Sequence, residues 1–570
     1  MKKFKLILVF ACVLGISITA CEDEFLEVAP TTSLSDVELS TAAGLDGSVI
    51  GAYSYLLGRG GFYTDATNWF WGSVLGGDAN KGSDPGDQSQ VNEIVTYNAQ
   101  TNNVSVRDKY RSTYEGVARA NNTLRLVAAA GEDVSDAVKT QVTAEARFLR
   151  GHYYFDLKRN FDDVPYIDET WDEITPIAND QDLWPFIIAD FQFAADNLPE
   201  TQTQIGRANS WAALAYLGKA QLFSGDIAGA RTTLTRVIND GVTSNGTPYA
   251  LEENYGDLWL AANDNGAETV FASQAAANTG STNNANPGLV LNFPHGSAGP
   301  ARPGGCCGFN QPSFELANSF RTSGGLPLLD GSYNDPANEL VTDFGLTSAD
   351  DFTPDAGPLD PRIDHSIGRR GIPYLDWGPH PGNDWIRQAS NGGAYSPKKF
   401  VYTAAGGDFD GSSWTPGYTA INYKIIRFAD VLLMAAEAEI DGGGTVAQAM
   451  EYVNMIRQRA ANSPLLNDDG SEAANYEVSL YSTALSADEA RQAVRFERKL
   501  ELSGEGHRKY DLVRWGVAME VLNAFLDYER EILSIQYGTA TFNTKSLFLP
   551  KPQEEIDLQG PDILAQNPGY

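Results

Sequence analysis

Three glutamates, Glu497, Glu501 and Glu505, recur at steps of four near the C-terminus. On a helix the first two share a face. Cleavage of a glycosidic bond uses two carboxylates about 5–10 Å apart, so this is the most enzyme-like spacing in the chain. Arg495, Arg498, Arg508 and Arg514 lie close by in sequence and can pair these acids. The glutamates are therefore read as framework ion-pair formers, with glycoside hydrolysis the weaker alternative. His507 has no serine or cysteine nucleophile in a motif such as GxSxG and reads as a packed or solvated side chain. Asp441-Gly442-Gly443-Gly444 lacks the Lys-Ser/Thr of a phosphate loop. Asp/Asn-rich turns at 263–266 and 467–470 lack the EF-hand order, because Ala261 and Leu465 stand at the first ligand positions. No Cys/His spacing suits zinc. The expectation is no catalytic residue, no metal and no cofactor.

Aromatic clusters suggest binding instead. Asn68-Trp69-Phe70-Trp71-Gly72 sits in a glycine-rich stretch. If that stretch is extended, Trp69 and Trp71 point to one side. Sugar rings offer apolar C–H faces to flat indoles, and their hydroxyls need directed polar partners. Asp78, Asn80 and Lys81 follow closely enough to supply these. A second cluster runs from Arg369-Arg370 through Tyr374, Asp376 and Trp377, with Trp385 and Arg387 after it. The candidate ligand-binding residues are thus Trp69, Trp71, Asp78 and Lys81 in the first cluster. In the second they are Arg370, Tyr374, Asp376, Trp377 and Trp385. For each indole the alternative is a plug in the core beneath a loop. Cys306 and Cys307 are adjacent and can close a vicinal disulfide in an oxidising compartment.

The elements that must position these residues are mostly helical. Val138, Val142, Ala146, Leu149, Tyr153 and Leu157 recur every three or four residues and predict a long helix between Ser135 and Arg159. Residues 207–240 read as a helical hairpin turning at Gly225-Asp226, in tetratricopeptide grammar. A second hairpin spans 428–460, with Gly442-Gly443-Gly444 at its turn. Such hairpins bury their apolar faces only by stacking. Ser486 to Glu489 is a capping box opening a helix that runs to Ser503-Gly504. Residues 241–420 are rich in Gly, Pro, Asn, Asp and Ser, with scattered aromatics, and predict a long irregular region.

The N-terminus reads as targeting. Lys2, Lys3 and Lys5 precede an apolar stretch from Leu6 to Ile18, too short for a comfortable membrane span. Ile18-Thr19-Ala20-Cys21 resembles the lipobox of bacterial lipoproteins, which implies cleavage after residue 20 and lipidation of Cys21. Glu22-Asp23-Glu24 resembles the surface-export signal of Bacteroidetes lipoproteins. The net charge of the 570-residue chain is −33. That makes nucleic acid an unsuitable partner, since phosphate binding needs clustered Lys and Arg. It favours a neutral ligand over a polyanion.

Four blocks resemble the SusD/RagB family of outer-membrane nutrient-binding lipoproteins. They are AEARFLRGHYYFDLKRNFDDVPYI at 144–167, RFADVLLMAAEAEI at 427–440, VRFERKLELSGEGHRKYDLVRWG at 494–516, and the terminal QNPGY. Asp162 departs from the pattern, standing where the family usually has glycine. The resemblance implies a mostly α, SusD-like fold with little β, in which tetratricopeptide-type hairpins form a scaffold for the loop-rich region. It divides the chain into a signal peptide (1–20), an N-terminal helical part (21–240) and a C-terminal part (241–570, loop-rich to 420), together one body. It further implies a lipid-anchored, surface-facing outer-membrane protein that captures oligosaccharide without turnover and delivers it to a SusC-like TonB-dependent transporter. A RagB-like oligopeptide-binding lid is the alternative.

Overall fold

The computed structural model describes residues 36–58, 61–172, 174–296 and 301–570. The expected signal peptide (1–20) and the expected lipidation site Cys21 lie outside the described residues. Helix accounts for 46% of residues and strand for 7%, so the chain is mostly α, as expected. Among the described residues no helix is long and apolar enough to cross a membrane.

The N-terminal half is a ladder of helices: α1 (Ala42–Tyr53), α2 (Val104–Ala129), α3 (Asp136–Phe161), α4 (Trp184–Asn197), α5 (Ser210–Ser224) and α6 (Ile227–Asp240). Each packs against the next in the sequence. The ladder continues across the irregular region, because α6 packs directly on α7 (Phe428–Asp441), which pairs with α8 (Val446–Ala461). Helix α9 (Ala487–Glu501) then covers both α7 and α8. Helices α10 (Arg508–Arg514) and α11 (Ala518–Ile532) follow.

Local chemistry explains these boundaries. Ser135 caps α3 by accepting from Val138 N–H, and Ser486 and Glu489 form the expected capping box on α9. The α5–α6 hairpin turns at Gly225, with φ +91°, and Asp226 caps α6. Gly218 lets the two helices close up, since a Cβ there would lie 2.6 Å from Leu234 Cδ2. Helix α3 buries residues on every side, including Glu145, Arg150 and Asp156. Those charges are paired, Arg150 with Asp190 at 2.7 Å and Asp156 with Lys109 at 2.6 Å.

Among the described residues, a few isolated bridges aside, the strands form two-stranded antiparallel pairs. In one, β1 (Ala79–Gly82) meets β3 (Phe309–Pro312), with Asn80 opposite Gln311. In another, β2 (Thr269–Ser273) meets β4 (Tyr423–Arg427), with irregular register. These ladders stitch the loop-rich region to the helical flanks.

Candidate functional site

The glutamates at the steps of four are locked. Glu497 and Glu501 lie on α9 and share Arg362, at 2.6 and 3.0 Å. Arg427, at the end of β4, reaches Glu501, Glu268 and Glu505 at 2.5, 2.7 and 2.8 Å. Arg459 holds Glu501 and Glu268, Arg457 holds Glu497, and Lys399 holds Glu505. With Asp360 on Arg362, five acids face five bases in an almost dry interior. Burial pushes the Glu501 carboxyl up, but Arg459, Arg427 and Arg362 outweigh it and hold the carboxyl well below its ordinary value. A carboxylate bound by three guanidiniums has no lone pair directed at solvent, so this is a framework, as the spacing argument favoured. The partners differ from those nearest in sequence. Arg498 pairs instead with Asp430 and Asp511, and Arg514 with Glu437. His507 is buried, and burial depresses its imidazole to about 3, so it stays neutral.

The structure corrects the reading of the first aromatic cluster. Trp69-Phe70-Trp71-Gly72-Ser73 is a single π-helical turn, not an extended segment. Trp69 is 1% exposed and Trp71 0%. Their indole N–H groups donate to the carbonyls of Phe62 and Tyr63. Both rings pack edge-on to Phe70. The turn is pressed against the Gly504–Gly506 bend, where a Cβ on Gly72 would sit 1.9 Å from Gly506 O. Asp78 and Lys81 are also buried. Asp78 accepts Gly504 N–H at 3.1 Å, and Lys81 donates to Asn92 Oδ1 and Asp84 O. None of these four side chains is offered to an external ligand.

The second cluster divides. Tyr374 and Trp385 are interior, packed edge-on at 5.3 Å, which corrects their assignment to a surface. Arg370 is half-buried and donates to the carbonyls of Thr347, Ser348 and Asp350. Asp376 is exposed, yet its carboxylate accepts Ala404 N–H and Ala405 N–H. Trp377 is half-buried, its indole N–H tied to Tyr402 O at 3.0 Å.

Trp377 belongs to a cluster of loops that the sequence did not single out. Tyr402 stacks on Phe409 at 4.7 Å and meets Trp377 edge-on. Asp410 N–H donates to Tyr418 O, and Tyr418 meets Trp414 edge-on at 6.4 Å. Trp414 is 59% exposed. Tyr402 Oη accepts Gly304 N–H, and Thr415 Oγ1 donates to Gly304 O, which draws in residues 304–307. There Cys306 and Cys307 are joined in a disulfide, with Cys306 half-buried. The result is a rim of Trp377, Trp414 and Tyr418 beside a short, covalently closed bend. The clue in the sequence was a lone tryptophan in Gly411-Ser412-Ser413-Trp414-Thr415-Pro416-Gly417, where no apolar periodicity gives it a core position.

Residues 267–570 match the family model described as SusD family, and residues 24–222 match one described as starch-binding, associating with outer membrane. A SusD-like protein of Formosa agariphila, P2, is 25% identical over the full length of both chains. Among solved structures, a laminarin-binding SusD-like protein has 23% identity and a TM-score of 0.64, over 93% of this chain and all of that one. A structure with xylogluco-oligosaccharide has 21% identity and a TM-score of 0.63, over 91% and 97%. The ladder of hairpins, the ordered sequence blocks and a family model spanning more than half of the residues agree, and the chain belongs to the SusD family.

Proposed function

We propose that this protein is a non-catalytic, lipid-anchored lipoprotein of the outer membrane that captures oligosaccharide at the cell surface and passes it to a SusC-like TonB-dependent transporter. The observation that carries the reading is the exposed Trp414, with Tyr418 and Trp377, on a hydrogen-bonded loop cluster. Flat rings stack on sugar C–H faces, each contributing on the order of 1 kcal/mol beyond area burial. Asp376 borders Trp377 in sequence and is exposed, so the carboxylate capacity left over from Ala404 and Ala405 can accept from sugar hydroxyls. Release into a transporter calls for several moderate contacts rather than one deep charged pocket. The net charge of −33 suits a neutral glycan. Two similar proteins, one laminarin-binding and one solved with xylogluco-oligosaccharide, support a neutral β-glucan as the first class to try. Lipidation at Cys21 supplies the anchor and the adjacent acidic run the surface address.

Affinity electrophoresis against laminarin, xyloglucan and other neutral polysaccharides tests this. Retardation on one of them, reduced in Trp414→Ala, is the expected result. Migration unaltered by every polysaccharide, with oligopeptides co-purifying, would replace this reading with the peptide-binding one.

A further inference from the structure

A small cavity of about 30 Å³ lies where several stretches of chain meet: Asp78 and the start of β1, residues 289–292, residues 310–316, Ser366, residues 397–400 and the 503–504 bend. Its lining is unusual for so buried a place. Asp78 Oδ1, Asn310 Oδ1, Ser366 Oγ and both amide atoms of Asn292 are buried without a hydrogen-bond partner among the described residues. All four residues are less than 9% exposed, and Asp78 and Asn292 are at 2% and 5%. An unsatisfied buried polar group costs about 1–3 kcal/mol. Five such atoms around one space therefore demand a ligand that satisfies them together.

We infer that this cavity is a water-binding site, holding about two ordered molecules, since one needs roughly 10–15 Å³. The chemistry selects water over a cation. Asp78 Oδ1, Asn292 Oδ1 and Asn310 Oδ1 only accept, Asn292 Nδ2 only donates, and Ser366 Oγ does either. A cation would serve the oxygens but leave the Asn292 amide protons unmatched. It would also share the cavity wall with Lys398 and Lys399. Water donates to the three acceptors and accepts from Asn292. Bridged in this way, the waters join Asp78, Asn292, Asn310 and Ser366 across the cavity, adding to the β1–β3 ladder and the Gly504 N–H to Asp78 bond. The inference is independent of what the outer rim binds.

The direct test is a high-resolution crystal structure of the mature protein, with a second crystal grown in rubidium chloride. Two solvent peaks, each about 2.7–3.2 Å from these atoms, and no anomalous signal in the cavity are expected. Absence of density there, or a rubidium peak, would overturn the assignment. Asn292→Leu, similar in size but apolar, should remove at least one peak and lower Tm by about 1–2 °C. An unchanged or raised Tm in that variant would count against a structural role for the waters.

Discussion

Asp162 shows how one residue records a local cost. It ends α3 with φ +59° and ψ −140°, a region that suits glycine and strains a residue with a Cβ. Its carboxylate recovers part of that by pairing with Lys158 at 2.9 Å, but Asp162 is half-exposed and such pairs contribute little. Asp162→Gly should therefore stabilise the protein by about 1 kcal/mol, read as a higher denaturant midpoint at unchanged slope. A lower midpoint would mean that the Lys158 pair outweighs the strain. The sequence flagged Asp162 as a departure, but not its dihedral angle. The indoles teach the reverse lesson. Trp69 and Trp71 looked like a display because alternation in a glycine-rich stretch suggests an extended strand. Gly72 is there instead to let backbone touch backbone, so the same residues form a turn that buries both rings.

At the scale of elements, that contact is one of the tightest backbone junctions in the fold. The 69–73 turn and the Gly504–Gly506 bend approach so closely that a methyl on Gly72 overlaps Gly506 O. A backbone atom cannot swing aside as a side chain does. Gly72→Ala should cost about 3 kcal/mol or more, measured by equilibrium unfolding. A loss under about 1 kcal/mol would show that the bend relaxes. Helices were the legible part of the molecule, since stripes at three and four residues, capping serines and turn glycines are all local signals. The predicted helix from Ser135 and the α9 capping box appear where expected. Tertiary partners were not legible. Glu501 finds Arg427 and Arg362, 74 and 139 residues away, rather than the arginines beside it. Sequence proximity carries no information about such pairs. The loop rim was hidden for the same reason, since Trp377 is joined to the 409–418 loop through the Tyr402–Phe409 stack.

Across the whole molecule, the buried charges set a pH window for stability. Arginine and lysine partners hold Glu501, Glu505 and Asp430 below their ordinary values against the opposing effect of burial. Their contribution is present above the unfolded carboxylate range, near 4, and is lost as pH falls. Glu529 behaves oppositely. Burial raises it to about 8 despite the Glu315 N–H it accepts, so the folded state keeps a proton that the unfolded chain gives up near 4.5. Its contribution is complete below about 4.5 and fades as pH rises to 8. The five histidines oppose it: burial holds each imidazole below its ordinary value, so their contribution is present above about 6.5 and is lost as pH falls. Tm should therefore peak near neutral pH, with a steep acid limb. Glu529→Gln removes the Glu529 contribution alone, so the Tm of the variant relative to wild type should rise between pH 5 and 8 while the acid limb stays in place. A Tm difference between variant and wild type that stays constant from pH 5 to 8 would refute this assignment for Glu529.

The central claim is that the exposed rim, and not the buried indoles, grips carbohydrate. Isothermal titration calorimetry of the mature protein, with oligosaccharides cut from the polysaccharide that retards it, tests this most directly. The account predicts measurable binding to wild-type protein, weakened about tenfold in Trp414→Ala, for the loss of roughly 1.4 kcal/mol of stacking. Unfolding of the variant should be unchanged, because Trp414 is 59% exposed. Equal affinity in wild type and Trp414→Ala would contradict it.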